Sequence, residues 1–137
     1  MTDLSRDFVV ELFGLLGTDS DAFFSHVADH VHWTVMGTHP LAGVYHSKSD
    51  FLTHTFARLK KILHGGIILK VHHIFVSGDH AVVEMENIST ALNGEVFQNT
   101  YCWIVRFEGP TIVEVRAYVD SALVASTLAD NEGLIPA

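Results

Sequence analysis

Three short segments constrain this chain more than anything else in it: Ser77-Gly78-Asp79-His80, Leu92-Asn93-Gly94-Glu95 and Glu108-Gly109-Pro110-Thr111. Each places a glycine beside a turn-forming residue, between runs rich in β-branched and aromatic side chains. That is the pattern of a β-hairpin, so the second half reads as four consecutive antiparallel strands. A two-residue loop at each turn then fixes the pairing. The first sets Ile74 opposite Val83 and His72 opposite Met85. The second sets Asn87 opposite Thr100 and Met85 opposite Cys102, and the third sets Cys102 opposite Ala117 and Thr100 opposite Val119. Side chains alternate along a strand, so this register sorts the residues onto two faces. His72, Ile74, Met85, Asn87, Thr100, Cys102, Ala117 and Val119 share a mostly apolar face, expected to lie beneath helices. His73, Phe75, Glu84, Glu86, Asn99, Tyr101, Trp103 and Arg116 share the other, with Arg116 placed to stack on Trp103. That outer face is too aromatic to be left in water, and a homodimer through it is the expected cover.

The first half reads as helical. Leu4, Phe8, Leu12, Leu15 and Leu16 recur at helical spacing behind a cap at Thr2 or Asp3, and Gly17 ends the run. A short second helix follows a cap at Thr18 or Asp19, and residues 31 to 36 form a strand. From Ser47, the series Phe51, Leu52, Phe56, Leu59, Ile62 and Leu63 predicts a third helix closed by Gly65-Gly66. Asp120 is placed to cap a last helix, and the chain from 131 to 137 reads as a loose tail. Helices followed by a bent antiparallel sheet make an α+β architecture, expected as a single domain over residues 1 to 137.

A chain of 137 residues, 48% of them hydrophobic, can bury a core without staples. Its formal charge of −8 repels phosphate backbones, which argues against nucleic acid as a partner. Cys102 is the one cysteine, so an internal disulfide is excluded. The N-terminus has no secretory character and no apolar run reaches membrane-spanning length, which predicts a cytoplasmic protein with no membrane partner. No cofactor is called for. A phosphate-cradling glycine loop is missing, and His26, His30, His32, His72 and His73 do not fall at metal-ligand spacing.

The passage "HWTVMGTHPLAGVYHSKSDF" and the ending "RAYVD" are similar to the W-x-x-x-G-x-x-P-x-x-G-x-Y passage and the R-x-Y-x-D ending of SnoaL-like proteins. These are members of the NTF2-like superfamily, which also includes ketosteroid isomerases and limonene epoxide hydrolases. The resemblance implies a cone in which a strongly curved sheet and N-terminal helices enclose an apolar pocket, commonly dimerised through the sheet. It also implies an inward carboxylate, whose pKa the apolar surroundings raise for acid–base work. At the matching positions this chain carries Thr34, for the proton-shuttling Asp of a ketosteroid isomerase, and Thr100, for its oxyanion-binding Asp. Ala117 stands where SnoaL-like cyclases have their acid.

Histidine is the residue type left to replace that acid. His72, beside Met85 and Asn87 on the inner face, is placed to act as a base or to bind a carbonyl, or else to serve as a hydrogen-bonded core residue. His32, sharing the parity of Thr34, is the second catalytic candidate. Thr34, Tyr45, Met85, Asn87, Thr100 and Ala117 are the candidate substrate contacts, with Tyr45 either presenting its hydroxyl or plugging the cone. Two functions stand: an isomerase- or cyclase-type enzyme acting on an apolar carbonyl compound, steroid-like or polyketide-like, and a non-catalytic binding or dimeric scaffold protein.

Overall fold

The computed structural model describes residues 4 to 136. Helix α1 (Arg6–Gly14) is capped by Ser5, whose hydroxyl accepts the Phe8 N–H; the expected cap at Thr2 or Asp3 lies outside the described residues. Asp19 caps α2 (Ser20–Phe24), and strand β1 (Val27–Val35) follows with no more than a turn between. After the Gly-Pro passage come β2 (Gly43–Tyr45) and α3 (Lys48–His54), the latter capped by Ser47. The long third helix read from the sequence is broken. Thr55 has φ −121° and ψ −77°, its hydroxyl is turned back onto the Phe51 carbonyl at 2.6 Å, and a separate α4 (Phe56–Lys60) begins without a side-chain cap. Leu63 and Leu59 face a second small core instead of one helical stripe, and the chain leaves α4 into the short strand β3 (Leu63–His64).

Strands β4 (Lys70–Ser77), β5 (His80–Ala91), β6 (Val96–Glu108) and β7 (Thr111–Tyr118) are the four expected strands, and α5 (Ser121–Asn131) starts on an Asp120 cap. The sheet order is β2-β1-β7-β6-β5-β3, with β4 sharing the β3 side of β5. One join departs from the antiparallel expectation: β1 runs parallel to β7, which the intervening helices and strands make possible.

Register is where the structure most corrects the sequence. The first turn is the expected two-residue loop, with Ser77 opposite His80 and Ile74 opposite Val83, but a bulge between Val71 and His73 puts Val71 opposite Met85. His72 is therefore rotated off the inner face. At the second turn Ala91 and Glu95 close a three-residue loop, Leu92-Asn93-Gly94, with Gly94 at φ +88°. A three-residue loop ending on a left-handed glycine shifts the partner strand by one residue against a two-residue loop. Asn87 pairs with Asn99 and Met85 with Tyr101, so every side chain of β6 changes face. The third turn is as read, and a bulge beyond it restores the mismatch by setting Cys102 opposite Tyr118 and Trp103 opposite Ala117. Thr100 and Cys102 thus lie on the outer face and Asn99, Tyr101 and Trp103 on the inner one. Arg116 sits opposite Ile104, so its predicted stacking on Trp103 does not occur.

Helices cover the inner face with an aromatic core. Trp33, from β1, stacks on Phe51 of α3 with ring centres 3.8 Å apart, and Trp103 meets Trp33 edge-on at 5.1 Å. The predicted loose tail is tied down at its start. Asn131 is buried, accepts the Asn93 N–H through its side-chain oxygen and donates to the Thr127 carbonyl, while Glu132 grips Arg58 with two bonds of 2.7 Å. Asn131→Ala strands a backbone donor at the β5–β6 turn and removes the internal bond, so a loss of about 1–3 kcal/mol is expected in urea unfolding. A change inside experimental error would show that the turn finds other partners.

Candidate functional site

Where α3 and α4 meet the inner face of β6 and β7, a pocket remains. Its sheet wall is Val35, Asn99, Tyr101, Trp103, Ala117 and Val119; its helix wall is Phe51, Thr55, Phe56 and Leu59; and His39, Leu41, Ile67 and Val124 close the rim. The lining is almost wholly apolar, and the free space is about 40 Å³, room for a few waters at most. Aromatic side chains take up the rest of the cone.

Two polar groups stand out on that wall. Asn99 is fully buried; its side-chain oxygen accepts the Asp120 N–H at 3.0 Å, and its amide nitrogen has no partner among the described residues. Tyr101, two residues on and so on the same face, is 6% exposed, and its hydroxyl too has no partner among the described residues. Buried donors are normally satisfied, because an unmade bond in a dry site costs about 1–3 kcal/mol. Burial pushes the Tyr101 phenol well above its ordinary value; the neighbouring Asn99 amide pulls weakly the other way by its nearness, although no formed hydrogen bond joins the two, so Tyr101 is a donor at any physiological pH. A pair of unpaired donors in apolar surroundings is suited to one oxygen atom that carries partial negative charge.

The rim supplies a histidine that the sequence reading did not single out. His39 Nδ1 accepts the Leu41 N–H at 3.2 Å, and Nε2 lies 3.1 Å from the Met36 carbonyl, so the backbone holds the ring in the tautomer that carries its proton on Nε2. Gly37 keeps room for it. At φ +112° a side chain there would be strained and would meet Ser121 and the His39 ring.

The sequence-predicted candidates scatter. His72 is exposed on the outer face, 3.1 Å from Glu86, because of the bulge. His32 is also exposed, since Val27, Val31, Trp33 and Val35 are the buried residues of β1; its ring lies 5.4 Å from that of His46. Thr34, on the same side, is turned away from the pocket wall formed by Val35, and Thr100 is exposed on the outer face. Met85 and Asn87 are fully buried and point inward but do not line the pocket; the Asn87 oxygen accepts from Ile68 N–H and from the Ser89 hydroxyl. Tyr45 is a plug, its ring against Phe51 and its hydroxyl donating to the Leu41 carbonyl at 2.8 Å. Ala117 alone of these candidates lines the pocket. The Cys102 thiol, half-buried on the outer face, is pushed up by burial and by Glu84. Asn99 and Tyr101 were legible in one signal: Phe97, Tyr101, Trp103, Val105 and Phe107 alternate with Gln98, Thr100 and Arg106, and the aromatic set is the one a core demands.

Comparison with known proteins adds the following. A family model for the SnoaL-like domain matches residues 9–115. Two fungal proteins are similar over 133 residues: the dimerizing cyclase tstC of Talaromyces stipitatus, 29% identical, and the dimerizing cyclase phiC of a fungal species, 27% identical. In each case the match covers 94% of this chain and 59% of the relative, so the chain spans little more than half the length of those proteins. An NTF2-like protein of Burkholderia thailandensis superposes with a TM-score of 0.75 at 23% identity, over 89% of this chain and 95% of that one. The NTF2-like cone is thereby shown.

The pocket makes a prediction about alkaline pH. A tyrosine whose folded pKa is raised contributes stability that is complete below the unfolded value, about 10, and is lost as pH rises above it. Denaturant midpoints taken from pH 8 to 11 are expected to fall less in Tyr101→Phe than in the wild type, with the remaining fall shared by Tyr45, which burial also raises. Equal slopes would mean that Tyr101 ionises without cost.

Proposed function

We propose, on the premise that this chain belongs to the SnoaL-like domain family, that it binds an apolar carbonyl compound in the pocket, with the Tyr101 hydroxyl and Asn99 amide donating to the carbonyl oxygen. The observation that carries this is the pair of buried, partnerless donors on one wall. Water excluded by the lining makes each donor worth more than in solvent, and a donor aimed at a developing enolate oxygen is typically worth about 2.7–4 kcal/mol in a transition state. Polarising a carbonyl is the common requirement of isomerisation and of ring closure next to it, and the relatives named dimerizing cyclases support cyclase-type chemistry. The lining holds no carboxylate, and His39 has both nitrogens engaged by backbone, so the reading gives this chain the electrophilic half of the reaction and assigns it no base. Binding without turnover is the second reading, favoured by that missing carboxylate.

The proposal extends to a homodimer through the outer sheet face, where Phe75 is 61% and Ile88 59% exposed. It also includes a cytoplasmic setting, supported by Cys102 as the one cysteine.

A thermal-melt screen against steroid-like and polyketide-like ketones tests the pocket. A ketone at a hundred times its dissociation constant adds about 2.7 kcal/mol of stability. Tyr101→Phe is expected to leave the free protein as stable as the wild type or more so, because it removes an unsatisfied donor, and to weaken ketone binding roughly ten- to hundredfold. A variant that is destabilised when free and still binds with unchanged affinity contradicts the proposal. Turnover of a bound ketone then separates the enzyme from the binder.

A further inference from the structure

The inner pocket is far smaller than a site of a few hundred cubic ångströms that encloses a drug-sized ligand, yet a second cavity of about 220 Å³ lies against it. This outer chamber opens to solvent between α2, α3 and α4, and carries Ser20, Asp21 and Lys60 at its polar mouth. Phe56 and Ile67 line both cavities. They are the partition. The Phe56 ring packs against Phe24, which lines the outer chamber, edge-on at 5.4 Å and against Phe51, which lines the inner one, at 5.6 Å, and those two rings also touch each other at 6.3 Å, so the three form a triangular cluster with Phe56 as the member common to both cavities.

Phe56 sits on backbone with little to hold it, whereas Ile67 lies between two tethered neighbours, the Ser89 hydroxyl donating to the Gly66 carbonyl at 2.9 Å and the Ile68 N–H to the Asn87 side-chain oxygen at 3.1 Å. Phe56 is the first residue of a five-residue helix that has no side-chain cap and follows the non-helical Thr55. Ile67 follows Gly65 and Gly66, at φ +79° and +73°, and lies in a segment outside helix and strand. An uncapped short helix opens at low cost, and Phe56 is the half of the partition that stands on one.

We infer that the outer chamber is the entrance and outer half of the binding site, that Phe56 and Ile67 gate it, and that the ligand is elongated. Its carbonyl head reaches Tyr101 and Asn99, and its trailing end passes Phe56 to the polar mouth at Ser20, Asp21 and Lys60. This rests on the pocket reading above for the head and stands on the two cavities for the route. The rival route is the open groove on the outer face, which shares Tyr101 and Val119 with the inner pocket.

Access can be measured without the natural ligand. In a Cys102→Ser background, Ala117→Cys puts a thiol on the wall of the inner pocket, and Val35→Cys does so independently should the first fail to fold. Octyl methanethiosulfonate is the probe; the thiolate displaces methanesulfinate and leaves an eight-carbon chain attached by a disulfide. Phe56→Ala is expected to raise the labelling rate at least tenfold, and Phe56→Trp to lower it severalfold, while Tyr118→Ala, which widens the outer-face groove and does not line the inner pocket, leaves it within twofold. Opposite effects of the small and large residues distinguish a gate from a loosened fold, which would speed labelling in both. Equal acceleration by both Phe56 variants, no effect of either, or acceleration by Tyr118→Ala alone overturns the route. Labelling by the methyl reagent but not by the octyl one overturns the elongated ligand. None of these results depends on whether a ketone binds Tyr101, so failure of the route and failure of the pocket reading remain separate.

Discussion

The stack of Trp33 on Phe51 is the contact on which the rest of this structure depends. It joins β1 to α3, and Trp103 set edge-on against Trp33 ties the pair to β6 in the middle of the sheet. Aromatic pairs of this kind add about 0.5–1.5 kcal/mol beyond the area they bury, and here they also decide the shape of the interior. With Phe23, Phe24 and Phe56 packed in the same network, much of the interior is filled, and the inner pocket is left against β6, β7, α3 and α4. The pocket lies where the aromatic packing stops.

That placement gives the site its chemistry. Asn99 and Tyr101 belong to a strand whose other inward residues are Phe97, Trp103, Val105 and Phe107, so their donors are buried in surroundings with almost nothing to accept from them. The same dryness keeps Tyr101 a phenol and raises the value of any acceptor that enters. Polar groups left unsatisfied in this way are destabilising in the empty protein. Their cost is offset on the larger scale by the core, and recovered locally only when an oxygen atom arrives.

How much was legible in the sequence follows from which interactions are local. Hairpin positions, the helix start at Ser47, the Asp120 cap and the α+β order are written in short-range patterns and stand as read. Faces are not local in that sense, because one residue of slippage inverts them. His72 reads as inward if β4 is regular, and the bulge that turns it out has no strong sequence mark. Thr100 reads as inward if Asn93-Gly94 is a two-residue loop, but Gly94 in the left-handed region fits a three-residue loop equally well. The two errors, together with the bulge in β7, kept the three registers mutually consistent while placing β6 the wrong way round. Ala117 survived because β7 is shifted twice. His39 was passed over because its role rests on backbone groups of the Gly-Pro passage, which no side-chain pattern reports.

The central claim is that two buried donors on β6 wait for a carbonyl oxygen. The most direct measurement is the infrared carbonyl stretch of a carbon-13-labelled cyclic enone bound to the wild-type protein and to Tyr101→Phe. A stretch well below its value in hexane for the wild type, moving back toward that value in the variant, is the result predicted. A bound enone whose stretch matches hexane in the wild type would contradict the claim, since it would show an apolar pocket in which Tyr101 and Asn99 touch nothing.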